Sequence, residues 1–151
     1  MPTPTYTPLA NITLGSSAGS VTFSSISQLY RDLVLIVETT AGTALTVNGD
    51  TGSNYSYVMM AGNGSVTKSY TESAQASIYG GWYTNAGLSI FNIFDYSATD
   101  KHKSILRSIT KADTSTERIA ARWASTSAIT SLTITGSMLT GSTLALYGIA
   151  A

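Results

Sequence analysis

"DLVLIVET", residues 32–39, is the stretch on which the fold turns. Its apolar core, residues 33–37, has no polar alternate and no helical period. At five residues it is far too short to cross a membrane, and no longer apolar run exists in the chain. A strand covered on both faces reads this way, so it is expected at the centre of a sheet.

Short β-type runs between turn signals surround it. "SVTFSSI" (20–26) sets Val21 and Phe23 on one face and Thr22 on the other, and "ALTVNGD" (44–50) does the same with Leu45 and Val47. "LSIFNIFDY" (88–96) sets Leu88, Ile90, Asn92 and Phe94 against Ser89, Phe91, Ile93 and Asp95, "SLTIT" (131–135) alternates again, and "TLALYGIA" (143–150) ends the chain as an apolar strand expected to pair inside a sheet. Only "SQLYRD" (27–32) and "ERIAARWAS" (117–125) allow a helical turn or two. Strands at about ten-residue spacing with Gly and Asn between them indicate an all-β sandwich or barrel. Phe23, Leu33, Leu35, Val37, Val47, Phe91, Ile134 and Leu146 are its expected core.

The composition agrees. Ser and Thr fill 45 of 151 positions, and Thr suits a half-buried pleated surface. Charged residues make up 11%, and eight basic against eight acidic groups cancel, so no general attraction to nucleic acid or membrane is expected. There is no cysteine, which excludes disulfides and thiolate metal sites. The start, "MPTPTYTPLA", lacks the basic and apolar regions of a signal peptide. Its three prolines, Pro2, Pro4 and Pro8, predict an extended arm over 1–10 ahead of one domain over 11–151. A disordered terminus is the alternative. As an arm it would lie extended against a neighbouring molecule, with Tyr6 and Leu9 as apolar anchors.

Several motifs invite a chemical reading. "VNGDTGSNYSY" (47–57) has the look of an ion loop, but an EF-hand numbered from Asn48 would have Ser53 at its glycine position and Met59 at its glutamate position. A phosphate loop needs a lysine after its glycines, and the nearest is Lys68. Asn48-Gly49 after an alternating strand is instead a hairpin signal, and Asn63-Gly64 is a second. "GSSAG" (15–19) matches a nucleophile elbow around Ser17, yet that elbow must run into a helix and a strand-like segment follows. His102, the single histidine, stands between two lysines and reads as solvated. The acids are scattered singly, which does not suggest acid–base catalysis. Three glycosylation sequons, at Asn11, Asn54 and Asn63, read as chance matches in a hydroxyl-rich chain.

Two clusters remain. Six of the eight basic residues, Lys101, Lys103, Arg107, Lys111, Arg118 and Arg122, fall within residues 101–122, a window of net charge +4 after Asp113 and Glu117. They form either a solvated face or a surface for an acidic partner. Tyr55, Tyr57, Tyr70, Tyr79, Trp82 and Tyr83 crowd the middle of the chain, as core filler or as a binding platform centred on Tyr79, Trp82 and Tyr83.

"TLGSSAGSVTFSSI" (13–26), "RDLVLIVET" (31–39), "VNGDTGSNYSY" (47–57) and "STLALYGI" (142–149) resemble small virion structural proteins of tailed bacteriophages, a resemblance running from residue 13 to 149. It implies an antiparallel β-sandwich, often jelly-roll-like, serving as a capsid decoration (cement) protein or a tail-fibre domain. No catalytic residue carries over, and the basic window departs from the usual pattern. The expectation is therefore a non-enzyme without cofactor or metal on the capsid exterior. It would bind the major capsid protein and itself, as a homotrimer, since particle symmetry supplies threefold sites. Besides Tyr6 and Leu9, the residues expected to carry the contact are Lys101, Lys103, Arg107, Arg118 and Arg122. A short chain with its own Met start and no fibre stalk favours decoration. A tail-fibre or receptor-binding domain recognising host-surface carbohydrate is the alternative, and an esterase through Ser17 stands third.

Overall fold

The computed structural model describes residues 4–79, 85–111 and 114–150, with only the backbone of Asn85 and Ala86. Among these residues there is no helix. The strands are β1 (Tyr6–Thr13), β2 (Ala18–Phe23), β3 (Asp32–Ala41), β4 (Ala44–Val47), β5 (Tyr55–Gly62), β6 (Thr67–Gln75), β7 (Ile78–Tyr79), β8 (Asn85–Phe94), β9 (Lys103–Lys111), β10 (Ser115–Trp123), β11 (Leu132–Met138) and β12 (Thr143–Ile149). They form two antiparallel sheets packed as a sandwich. The large one runs β1-β12-β3-β8-β9-β10-β5-β6 and the small one β2-β11-β4-β7.

The pairing is nested. β5 pairs with β6, β4 with β7, β3 with β8 and β2 with β11, and successive pairs alternate between the sheets. This is the wrapping of a jelly roll. The β9–β10 hairpin is inserted between β8 and β5, and β12 and β1 extend the sheet beyond β3. The sandwich therefore has one sheet twice as wide as the other.

All eight expected core residues are buried, with Leu33, Leu35, Val37, Val47, Phe91 and Ile134 fully so. β3 sits between β12 and β8, away from both edges. It is not covered on both faces, however: Leu33, Leu35 and Val37 face the core, while Val34 and Ile36 on the other side are half-buried. The helical allowance at 117–125 is overturned, because residues 115–123 are a strand. Glu117, Ile119, Ala121 and Trp123 point inward in strict alternation, and the two-residue period prevails where a short run fits both periods.

The first ten residues are extended from Tyr6 onward, but no boundary falls at Ala10. β1 runs through it as the edge strand of the large sheet, bonded to β12 of its own chain. Leu9 packs against the core, whereas Tyr6 is exposed. Pro8, lacking an N–H, is tolerated because the strand has a neighbour on one side only.

Candidate functional site

The loop following β4 is a turn whose polar groups are used internally. Asn48 and Gly49 take φ of 52° and 68°, and the Asp50 N–H donates to the Val47 carbonyl at 2.9 Å. It closes no hairpin, contrary to expectation, because β4 lies in the small sheet and β5 in the large one. The turn carries the chain across the sandwich. Asn48 then binds the segment before β11: its Oδ1 accepts from the Thr130 and Ser131 N–H groups at 2.8 and 3.0 Å, and its Nδ2 donates to the Ala128 carbonyl at 2.8 Å.

The Asp50 carboxylate accepts from the Trp123 indole N–H at 2.7 Å, Asn54 Nδ2 at 2.9 Å and the Gly52 N–H at 2.9 Å. The indole bond foremost holds its carboxyl below the usual value. A carboxylate ringed by donors is a structural anchor, since its lone pairs are directed at N–H groups. Tyr55 completes the knot, accepting from the Val47 N–H at 2.9 Å and donating to the Asp50 carbonyl at 3.0 Å, and burial pushes its phenol up to about 12.

The basic window does not form one surface. Lys103 and Arg107 fall on the inward parity of β9 and are 0% and 2% exposed. They are removed from the expected contact set, because side chains in the interior cannot reach a partner. Lys103 Nζ donates to the carbonyls of Ala98, Lys101 and Thr126 at 2.7, 3.0 and 3.3 Å, tying the loops on either side of the β9–β10 hairpin. Arg107 donates to the Thr43 carbonyl, the Thr43 hydroxyl and the Ser89 hydroxyl at 2.9, 2.9 and 3.1 Å, and its guanidinium lies 4.6 Å from the centre of the Phe91 ring. Desolvation lowers it to about 10, so it stays charged at neutral pH, and it bridges β9 to the segment between β3 and β4. Arg118 and Arg122 are exposed on the outward face of β10, and Lys101 pairs with Asp95 at 3.2 Å in the loop before β9. His102 is exposed beside it.

The aromatic cluster divides likewise. Tyr55 and Tyr57 are core, Tyr70 is half-buried and Tyr79 is exposed, while Trp82 and Tyr83 lie outside the described residues. "GSSAG" runs from the bend after β1 into the first two residues of β2, so Ser17 lacks the strand–turn–helix setting of a nucleophile elbow. Among the described residues, no three His, Cys, Asp or Glu come together as a metal site.

The surface that sequence reasoning missed is the outer face of the large sheet. Met60 is 65% exposed there and Val58 and Leu106 are 47% exposed, with Leu88 and Phe94 also open to solvent. The strand registers set Val58, Ala120, Leu106, Asn92, Val34 and Tyr147 side by side in one row. An antiparallel sheet with a solvated face normally alternates apolar with polar; here both parities of β8 are apolar. "LSIFNIF" carries that signal, with Leu88, Ile90 and Phe94 on one side and Phe91 and Ile93 on the other.

No protein-family model matches the chain, and no curated protein matches it. Among solved structures it is similar to a family two carbohydrate esterase from Cellvibrio japonicus, at 12% identity and a TM-score of 0.22. That match covers 97% of this chain and 35% of the esterase, so the chain spans about a third of its length. A likeness at this level says nothing about chemistry.

Proposed function

We propose that the chain is a non-enzymatic structural protein of a tailed-bacteriophage virion. It sits on the outer capsid surface, bound to the major capsid protein and to further copies of itself. The observation that carries this reading is the broad, sparsely charged apolar face of the large sheet. Large exposed apolar patches rimmed by polar residues mark interaction surfaces. The resemblance of residues 13–149 to virion proteins supports it. Immunogold labelling of purified particles tests the reading. Gold distributed over the heads is expected; labelling confined to tail tips, or absent from virions, overturns it.

A second reading has one observation in its favour: Tyr79 is exposed at the end of β7, with Tyr70 close by. A carbohydrate-recognising tail domain would use such an aromatic surface. Glycan-array binding lost on Tyr79→Ala would select it.

A further inference from the structure

We infer that the outer face of the large sheet is self-complementary and packs against the same face of a second copy of this chain. The twofold axis would lie parallel to the strands, between β8 and β9. The eight strands present about 900 Å² of sheet face from ordinary strand spacing and rise, an upper bound on the contact because the sheet twists, against the roughly 800 Å² that each partner contributes to a standard stable interface.

Strand order and register decide the orientation. An axis between β8 and β9 sets β9 on β8, β10 on β3 and β5 on β12 of the second copy. Within the rows, four small residues then meet larger ones, while Leu106 faces Asn92 and Val58 faces Tyr147. Ala120 faces Val34, filling the hollow that this alanine leaves between Val58 and Leu106. Ser104 faces Phe94, and Ser108 faces Ile90. Farther from the axis, Met60 faces Ala145. Sandwich sheets pack within about 30° of aligned, so the correspondence is closest near the axis.

Charge selects the same axis. The basic residues of the face, Arg118 and Arg122, are both on β10, and the exposed acid, Glu38, is on β3. β10 on β3 brings Arg118 against Ile36, about 7 Å along the strand from Glu38 of the second copy, within reach of an arginine. An in-plane axis across the strands would instead stack β10 on β10 and oppose arginine to arginine, which is unfavourable.

Light scattering and sedimentation on the full chain across the micromolar range test the dimer. The expected mass is twice the 15.8 kDa of one chain. Leu106→Lys, at an exposed central position, should give the single-chain mass with unchanged far-UV circular dichroism, while Leu139→Lys in the loop before β12 should leave the dimer intact. Arg118→Glu should weaken association at least about tenfold by opposing Glu38, and adding Glu38→Arg should restore it. A wild-type mass of one chain overturns the proposal. A mass of three chains overturns it in favour of the homotrimer. A folded Leu106→Lys chain that remains dimeric, or a charge swap without rescue, rejects this face as the interface.

Discussion

Asn48-Gly49 and Asn63-Gly64 are the same dipeptide after an alternating strand, and they do different work. At the second, Gly64 takes φ of 84°, and Asn63 Oδ1 accepts from the Ser65 and Val66 N–H groups at 3.1 and 2.7 Å. All its partners lie within three residues, and the turn joins β5 to β6 in one sheet. At the first, the Asn48 side chain has its partners at Ala128, Thr130 and Ser131, about eighty residues away, and the turn changes sheets. A dipeptide sets the backbone angles of a turn. Where the chain goes next is set by which sheet buries the following strand.

The largest effect expected in testing this contrast is at Asn48. Asn48→Ala removes four long-range hydrogen bonds, one of them from the Thr130 hydroxyl, and places an alanine in the left-handed region, which should cost about 2–3 kcal/mol. Chemical denaturation measures it, and a cost below that of Asn63→Ala would erase the distinction between the turns. Trp123→Phe should cost about 1–2 kcal/mol, because it leaves Asp50 without its indole donor. Gly49→Ala and Gly64→Ala should cost about 1 kcal/mol each and nearly equally, since both have positive φ and open space at the Cβ position. A large inequality would mean that tertiary packing reaches the glycines as well. Asn63→Ala is the smallest at roughly 0.5–1 kcal/mol, because water can replace its acceptor at an exposed turn.

Acid sharpens the contrast from another side. Asp50 has a folded pKa held below its ordinary value, so its contribution is full above that ordinary value, near 3.8, and is lost as pH falls through the folded one. The melting temperature of the wild type should therefore fall more steeply below about pH 4 than that of Asp50→Asn. Parallel acid profiles for the two proteins would detach Asp50 from the stability of the loop.

The fold was largely legible because burial on one face of a pleated strand leaves a two-residue pattern. Val21 with Phe23, and Leu45 with Val47, announced their inward faces, and all eight expected core residues are buried. Residues 117–125 were ambiguous because "ERIAARW" is short enough to fit either period. The site was less legible. Lys103 and Arg107 looked like members of a basic patch, and their parity with Ile105 and Ile109 was the missed signal: residues at 103, 105, 107 and 109 share the inward face.

The sequence by itself determined the all-β class, the core alternates, the positive-φ turns and the near-neutral, hydroxyl-rich character of the surface. Each depends on a residue and its immediate neighbours, through dihedral preference, branching or side-chain polarity. Only the tertiary structure decided that one Asn-Gly turn crosses between sheets, that residues 6–10 belong to the large sheet, that two cations lie inside, and that the apolar alternates of β5, β8 and β9 share one open face. These follow from strand order and register, which place residues about eighty positions apart within hydrogen-bonding distance and which no local pattern encodes.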